Sequence, residues 1–338
     1  MRTETVAATL RRSSQTSAKE RALELLRKGE VVALPTETVY GLAADALNPT
    51  AVAKVFEAKV RPRFDPLIVH LPDEKWLERV AKIDNRSLAQ IKKLTAQFWP
   101  GPLTLILDRQ PIVPEIVTAG LDTVAVRMSS NPVFAEIISA FGKPVAAPSA
   151  NRFGRISPTT AEHVFDELSG RIPLIIDAGP TTYGIESTII AVHENKIDIL
   201  RRGPITAEQL AEFGKVDIVR ASQKISVPGQ LPSHYAPKTP LRLIDNAESF
   251  APAKDRRVGL LAWNASIPEE GFAAVRTLSQ RQDLREAAAN LFRCLRELDE
   301  LDLNLIVAER VPAQGLGAAI LDRLERASHD SDIRDMLE

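Results

Sequence analysis

Hydroxyl and cationic side chains collect in four short stretches of the chain: PTETVYGL (35–42), AKVRPRFDPLIVH (58–70), VAAPSANRFGRISPTT (145–160) and GIESTII (184–190). None of them holds a thiol, a carboxylate pair or a metal-ligand cluster. What they offer is Thr, Ser, Lys and Arg, the donors that hold phosphates and carboxylates. Such a set works by bringing anions together and neutralising their charge, without a nucleophilic side chain.

Lys59, Arg61 and Arg63 stand at alternate positions ahead of an apolar run. In an extended segment they point the same way and form a cationic rail for a polyphosphate. A solvated basic turn is the plainer reading; Pro62 and Pro66 stiffen the segment and favour the rail, because a stiff loop holds its cations at lower entropic cost. Asp65 is the one anion in the stretch. Arg127 closes the run VAV, and Arg201 and Arg202 follow DIL, so that one of the two faces solvent. Ser149, Asn151, Gly154 and Ser157 make a turn rich in small polar groups, suited to a phosphate cradle and equally to ordinary turn chemistry. Ser187 and Thr188 open an apolar strand, Thr36 and Thr38 flank Glu37, and His70 ends LIV as an anion donor or a strand cap. Each signal is weak alone. Their clustering carries the inference.

The elements that position these residues follow from periodicity. Residues 18–28 have apolar positions at helical spacing with Gly29 as a stop, and 48–59 open with an Asn cap and a first-turn Pro, delivering Lys59 at the helix end. Further helices are expected at 85–98, 132–141, 159–168 and 283–301, with a last one after Gly315-Leu316-Gly317. VVALPT, PLIVHL, the LTLIL segment, TVAVRM, PVAAPS, LIIDAG, STIIAV and KIDILRRG read as strands. Helices do not separate them regularly, which points to an α/β lobe with a mixed sheet. Residues 219–240 break the pattern with several prolines and read as a linker; beyond them LRLID, RVGLLAW and LNLIVAERV alternate with helices as a small separate α/β domain. The expected organisation is a flexible leader at 1–17, a catalytic domain at 18–214, a linker or lid at 215–240 and a C-terminal domain at 241–338.

Composition is that of an ordinary globular chain: 338 residues, 44% hydrophobic and 26% charged, with net charge −1. Residues 1–207 carry 26 Lys and Arg against 23 Asp and Glu, and the remainder 17 against 21, so there is no polybasic arm for extended nucleic-acid contact. No apolar run reaches the roughly 18–20 residues that span a bilayer. The single cysteine, Cys294, excludes an intrachain disulfide and a multi-cysteine zinc site, and fits a buried role in a reducing cytoplasm. The five histidines lack metal-ligand spacing.

The chain resembles the threonylcarbamoyl-AMP synthases in their long two-domain form. PTETVYGL, the K-x-R-P…PLIVH segment, FWPGPLT, APSAN with its following Gly, the G-x-x-ST motif and PGQLPSHYAPKTPL carry the resemblance along nearly the whole chain. It implies a YrdC-like α/β fold, a twisted mixed sheet around a concave basic cavity, joined by a Pro-rich linker to a smaller Rossmann-like domain. It implies a nucleotidyltransferase that makes threonylcarbamoyl-AMP and pyrophosphate from L-threonine, bicarbonate and ATP. That product supplies a downstream tRNA threonylcarbamoyl-transfer complex. Mg²⁺ is expected to travel with ATP and pyrophosphate, and no metal site on the protein is expected. By this resemblance Lys59 and Arg61 act on the ATP phosphates. Thr36, His70, Arg127, the Ala147 backbone and Ser187 seat threonine. Asp65, Thr123, Ser149, Asn151, Ser157, Arg201 and Tyr235 complete the nucleotide site, Tyr235 as part of a lid. Asp65 departs from the family pattern, which has asparagine there, and its charge needs an offset from Arg63 or a metal. Val60 is bulkier than the usual small residue. The alternative is an RNA-binding module of the same fold without this activity; a carbamoyl-transfer enzyme of hydrogenase maturation would need zinc fingers that one cysteine cannot build.

Overall fold

The computed structural model describes residues 1–8, 17–219, 235–253, 255–264 and 271–335. The chain divides into two units. The first comprises Met1–Phe153, Pro158–Thr182 and Glu186–Gln230; the second comprises Gly154–Ser157, Tyr183–Ile185 and Leu231–Glu338.

In the first unit the strands are β1 (Glu4–Ala7), β2 (Val32–Leu34), β3 (Gly41–Asp45), β4 (Ile68–His70), β5 (Ala81–Lys82), β6 (Leu103–Arg109), β7 (Thr123–Arg127), β8 (Val145–Ala146), β9 (Leu174–Asp177), β10 (Thr188–His193), β11 (Lys196–Arg201) and β12 (Lys215–Ile218). The helices are α1 (Ala18–Arg27), α2 (Pro49–Lys59), α3 (Leu77–Val80), α4 (Asn85–Phe98), α5 (Glu115–Thr118), α6 (Pro132–Phe141), α7 (Ala161–Leu168) and α8 (Ala207–Leu210). The strands form one mixed sheet in the order β1-β9-β2-β3-β8-β4-β7-β6-β10-β11-β12, with β5 on β6.

Strand alternation sorts the core onto two faces. Val32, Leu34, Leu174 and Ile176 pack with Leu23 and Leu26 of α1 and Phe134, Ile137 and Ile138 of α6. Their neighbours Ala33 and Ile175 point the other way, with Val69, Leu105, Val124 and Val126, into the larger core under α2, α4 and α7. The consequence for the middle strands is specific. Burying Val69, Val124 and Val126 on one face leaves Ile68 and His70 of β4 and Ala125 and Arg127 of β7 on the other, where the apolar cluster is small. This second face of β4, β7, β6, β10 and β11 carries the polar residues.

Two expectations are corrected. Part of the supposed flexible leader is a strand: β1 pairs in parallel with β9, and the Thr3 hydroxyl donates to the Ile172 carbonyl at 2.6 Å. Residues 215–218, assigned to the linker, form β12 on β11, because KVDI offers alternating residues for one more edge strand. Residues 9–16 of the leader and 220–234 of the linker, with His234, lie outside the described residues.

The second unit holds β13 (Leu241–Ile244), β14 (Val258–Ala262), β15 (Ala274–Thr277) and β16 (Leu305–Glu309) in a wholly parallel sheet of order β13-β16-β14-β15. Helix α9 (Leu284–Asp299) links β15 to β16, and α10 (Leu316–Asp335) follows. Such parallel pairing needs crossover helices, as the alternating sequence pattern anticipates. Gly317 belongs to the start of α10, where a Cβ would collide with the Pro312 carbonyl. Cys294 is buried in α9, and burial pushes its thiol up to about 11. Among the described residues no helix is long and apolar enough to cross a membrane.

Candidate active site

Helix α2 starts with the Asn48 side chain accepting from the Thr50 and Ala51 amides and ends where Val60 turns left-handed, at φ 53°. A β-branched residue there is strained by about 1–2 kcal/mol, and Pro62 forbids helical continuation. That stop places Lys59 inward and Val60 outward, 63% exposed. The predicted rail does not form as an extended strand. Lys59 and Arg61 are buried, whereas Arg63 is exposed on the turn.

Lys59 Nζ donates to the carbonyls of Ser149 and Asn151, both at 2.5 Å, so it ties the end of α2 to the 149–151 turn. Two of its three donors are used this way. Burial and the neighbouring Arg61 hold its ammonium well below the ordinary lysine range, with Asp65 and Glu167 acting against them. Arg61 donates to the Pro66 carbonyl at 2.9 Å and to the Asp65 carbonyl at 3.3 Å, and its guanidinium lies 5.9 Å from the Phe153 ring centre. Asp65 is 1% exposed, with Oδ2 2.8 Å from Arg61 Nη2. The offset for its charge is therefore Arg61, not Arg63. Burial raises its pKa, while Arg61, Lys59 and Arg201 pull it down. Arg201 of β11 donates to the Ser187 carbonyl at 3.1 Å and hydroxyl at 3.0 Å, and the Ser187 hydroxyl meets Thr104 Oγ1 at 2.8 Å. Gly203 lets the turn after β11 close on this segment, since a Cβ would collide with the Thr188 amide.

A second cluster surrounds Arg127. Its Nη2 donates to Glu37 Oε1 at 2.6 Å and its Nη1 to Thr38 Oγ1 at 3.2 Å; the Ser129 hydroxyl donates to Glu37 Oε2. Thr36 Oγ1 donates to the Val39 carbonyl at 2.6 Å, accepts from the Thr38 and Val39 amides, and lies 2.8 Å from Thr38 Oγ1. This turn after β2 is thus locked by its own hydroxyl. His70 pairs with Arg127 across β4 and β7, and its ring packs 4.9 Å from that of Phe134. Burial, then Arg127, holds its imidazole well below the usual range, so it is neutral near pH 7. His70 Nδ1 and Arg127 Nε have no hydrogen-bond partner among the described residues. Two buried unpartnered nitrogens beside each other can receive a polar ligand.

The remaining predicted residues are placed as follows. The Ala147 amide is taken by the Ile68 carbonyl at 3.1 Å. Ser149 is partly exposed and bridges to Gly41; Asn151 is buried, its Nδ2 donating to the Arg152 carbonyl at 2.8 Å. Thr123 starts β7 on the face that carries Arg127. Ser157 and Tyr235 belong to the second unit. There the Arg296 guanidinium donates to the Ile156 carbonyl, and Tyr235, at φ 67°, stacks on Phe292 at 5.5 Å with Arg323 5.3 Å from its ring centre. Among the described residues no three His, Cys, Asp or Glu are placed to hold a metal.

Glu37, Ser129 and Thr104 were not foreseen as site residues. Thr104 had a signal, a lone hydroxyl inside the apolar run LTLIL. Glu37 had a weaker one, an acid between two threonines, and Ser129 had none apart from its closeness to Arg127.

A family model described as "Telomere recombination" (Sua5/YciO/YrdC) matches residues 24–203, and one described as "Threonylcarbamoyl-AMP synthase, C-terminal domain" matches residues 205–329. The chain is 41% identical over 326 residues to a threonylcarbamoyl-AMP synthase of Bacillus subtilis, covering 93% of both chains. It is 39% identical over 324 residues to that of Pyrococcus abyssi, covering 91% of this chain and 93% of the relative. The crystal structure of P. abyssi Sua5 complexed with L-threonine matches with TM-score 0.85 and 35% identity over 96% of each chain. Matched across both of its parts, the chain belongs to the threonylcarbamoyl-AMP synthases, a nucleotidyl-transferring enzyme family with a YrdC-like domain and a dedicated C-terminal domain.

Proposed function

We propose that this chain condenses L-threonine, bicarbonate and ATP into threonylcarbamoyl-AMP and pyrophosphate. The product is handed to a tRNA threonylcarbamoyl-transfer complex in the cytoplasm, where ATP, bicarbonate and tRNA meet. The observation that carries this reading is the match over nearly the full chain to relatives named for this product, one of them solved with L-threonine. An RNA-binding module without this activity is not favoured by those relatives.

In this reading the carboxylate of threonine meets Arg127, whose orientation is fixed by Glu37 and Thr38. Neutral His70 and the locked Thr36 turn seat the rest of the amino acid, with Ser187 and the Ala147 carbonyl. The threonine amine loses a proton and adds to carbon dioxide drawn from bicarbonate, giving a carbamate. A carbamate oxygen attacks the α-phosphorus of ATP and pyrophosphate departs. Lys59, Arg61 and Arg201 neutralise the charge on the phosphates, and Thr123, Ser149 and Asn151 line the nucleotide. Mg²⁺ is part of the substrate, carried on the phosphates. Catalysis is by proximity and electrostatics, with no covalent enzyme intermediate.

The test is pyrophosphate release from ATP and bicarbonate, with L-threonine against L-serine as control. Strong threonine dependence is expected, and its loss in Arg127→Ala and Lys59→Ala. Pyrophosphate release indifferent to threonine would defeat the reading, as would a stable threonyl or adenylyl adduct on the protein.

A further inference from the structure

We propose that Asp65 is the resident counter-ion of the phosphate seat, and that nucleotide binding places a proton on its carboxyl group. The inference rests on the reading of Lys59, Arg61 and Arg201 as phosphate ligands.

Asp65 is 1% exposed, yet neither carboxylate oxygen has a hydrogen bond of good geometry among the described residues. Its one close contact is the ion pair to Arg61 Nη2 at 2.8 Å. Buried carboxylates normally collect several donors, as Glu37 does from Arg127 and Ser129. The charged groups that act on Asp65 are Arg61 from its own loop, Lys59 from the end of α2 and Arg201 from β11; Glu167 of α7 acts on Lys59. One anion thus already sits among the three cations proposed for the triphosphate. A second, larger anion on the same cations faces like-charge repulsion at short range among side chains that are themselves buried.

The loop backbone that carries Asp65 is held in place, and its side chain is packed to 1% exposure. The Asp65 amide donates to the Pro62 carbonyl at 3.3 Å, and Arg61 grips the carbonyls of Asp65 and Pro66 on either side of the residue. Protonation in place is the alternative, and burial already favours it by raising the carboxyl's pKa. One proton from solvent adds to one carboxylate oxygen, no other bond changes, and the group turns from acceptor only into a donor toward a phosphate oxygen. Arg61 keeps its bonds to the Asp65 and Pro66 carbonyls, and its positive charge is no longer cancelled by the carboxylate.

The experiment is calorimetric titration of the full chain with ATP and Mg²⁺, without threonine or bicarbonate, in buffers of different ionisation heat. For the wild type we expect uptake of about one proton per ATP, with the apparent Kd weakening about tenfold per pH unit between the free and bound pKa values of Asp65. Asp65→Asn should bind more tightly than wild type at alkaline pH, with the linked proton gone. If Asp65→Asn keeps or increases the uptake, Lys59 carries the proton and the proposal is wrong, since losing Asp65 lowers the Lys59 pKa further. No uptake by the wild type overturns it equally. If neither folded protein binds ATP, the phosphate seat itself is misread and the proposal falls with it. Should the Asn variant fail to fold, infrared difference spectra of the wild type decide: a protonated-carboxyl band appearing with ATP supports the assignment, and its absence refutes it.

Discussion

Two buried acid–arginine pairs stand in the first unit, and they are built differently. Glu37 receives hydrogen bonds from Arg127 and Ser129, and Arg127 is held further by Thr38, so acid and base are both fixed. Asp65 touches Arg61 alone at ion-pair distance and finds no hydrogen-bond donor of good geometry among the described residues. The first pair is a finished structure that leaves only the Arg127 Nε without a hydrogen-bond partner among the described residues. The second is the displaceable counter-ion of the proposed phosphate seat. Burial is similar in the two; the number of donors reaching the carboxylate separates a scaffold from a displaceable charge.

The largest effect should come from Lys59→Ala, which removes a proposed phosphate ligand and also the tie to the 149–151 turn. Threonine-dependent pyrophosphate release should fall on the order of a thousandfold, the scale of losing a preorganised charge-stabilising donor. Next, Glu37→Ala leaves Arg127 buried without its counter-ion and should cost about 3 kcal/mol in denaturant unfolding, together with a raised KM for threonine. A variant as stable as wild type would erase the distinction between the two pairs. Asp65→Asn should instead be well tolerated in unfolding and bind ATP about tenfold more tightly a pH unit above the free pKa of Asp65.

Acid sharpens the contrast further. His70 has a folded-state pKa below its ordinary 6.5, so the unfolded chain takes the proton first; its stability contribution is complete above about 6.5 and is lost as pH falls below that value. Asp65 has a folded-state pKa above its ordinary 3.8, so the folded state takes that proton first and acidification through this range favours folding. Unfolding midpoints followed from neutral to mildly acidic pH should therefore drop in the wild type and drop less in His70→Gln. The smallest effect belongs to the exposed pair Lys28–Glu24: Lys28→Ala should leave the unfolding midpoint where it was.

Much of the frame was legible in the sequence because its signals are local. The helix ending in Lys59 follows from Asn48-Pro49 at its start, and α4 and α6 begin and end where the periodicity said. The polar termini of apolar strands, His70 and Arg127, share one face because strand alternation requires it. The short edge strands β1 and β12 were hidden because four residues of mixed polarity become a strand only when a neighbour offers its edge. Arg63 leaves the expected rail for a related reason: strand alternation does not run through a segment that a left-handed Val60 turns into a loop.

The sequence by itself determined the α/β class, the inventory of hydroxyls and cations, and the exclusion of disulfide and multi-cysteine zinc chemistry. These depend on composition and on periods of two and 3.6 residues, which need no partner in space. Only the tertiary structure decided which charge meets which. Glu37 reaches Arg127 across 90 residues, and Lys59 reaches Ser149 across a similar span. Ser187 meets Thr104 because β10 lies in parallel beside β6. Pairings between distant segments follow from strand order and from where each helix stops, and both are set by how the whole core packs.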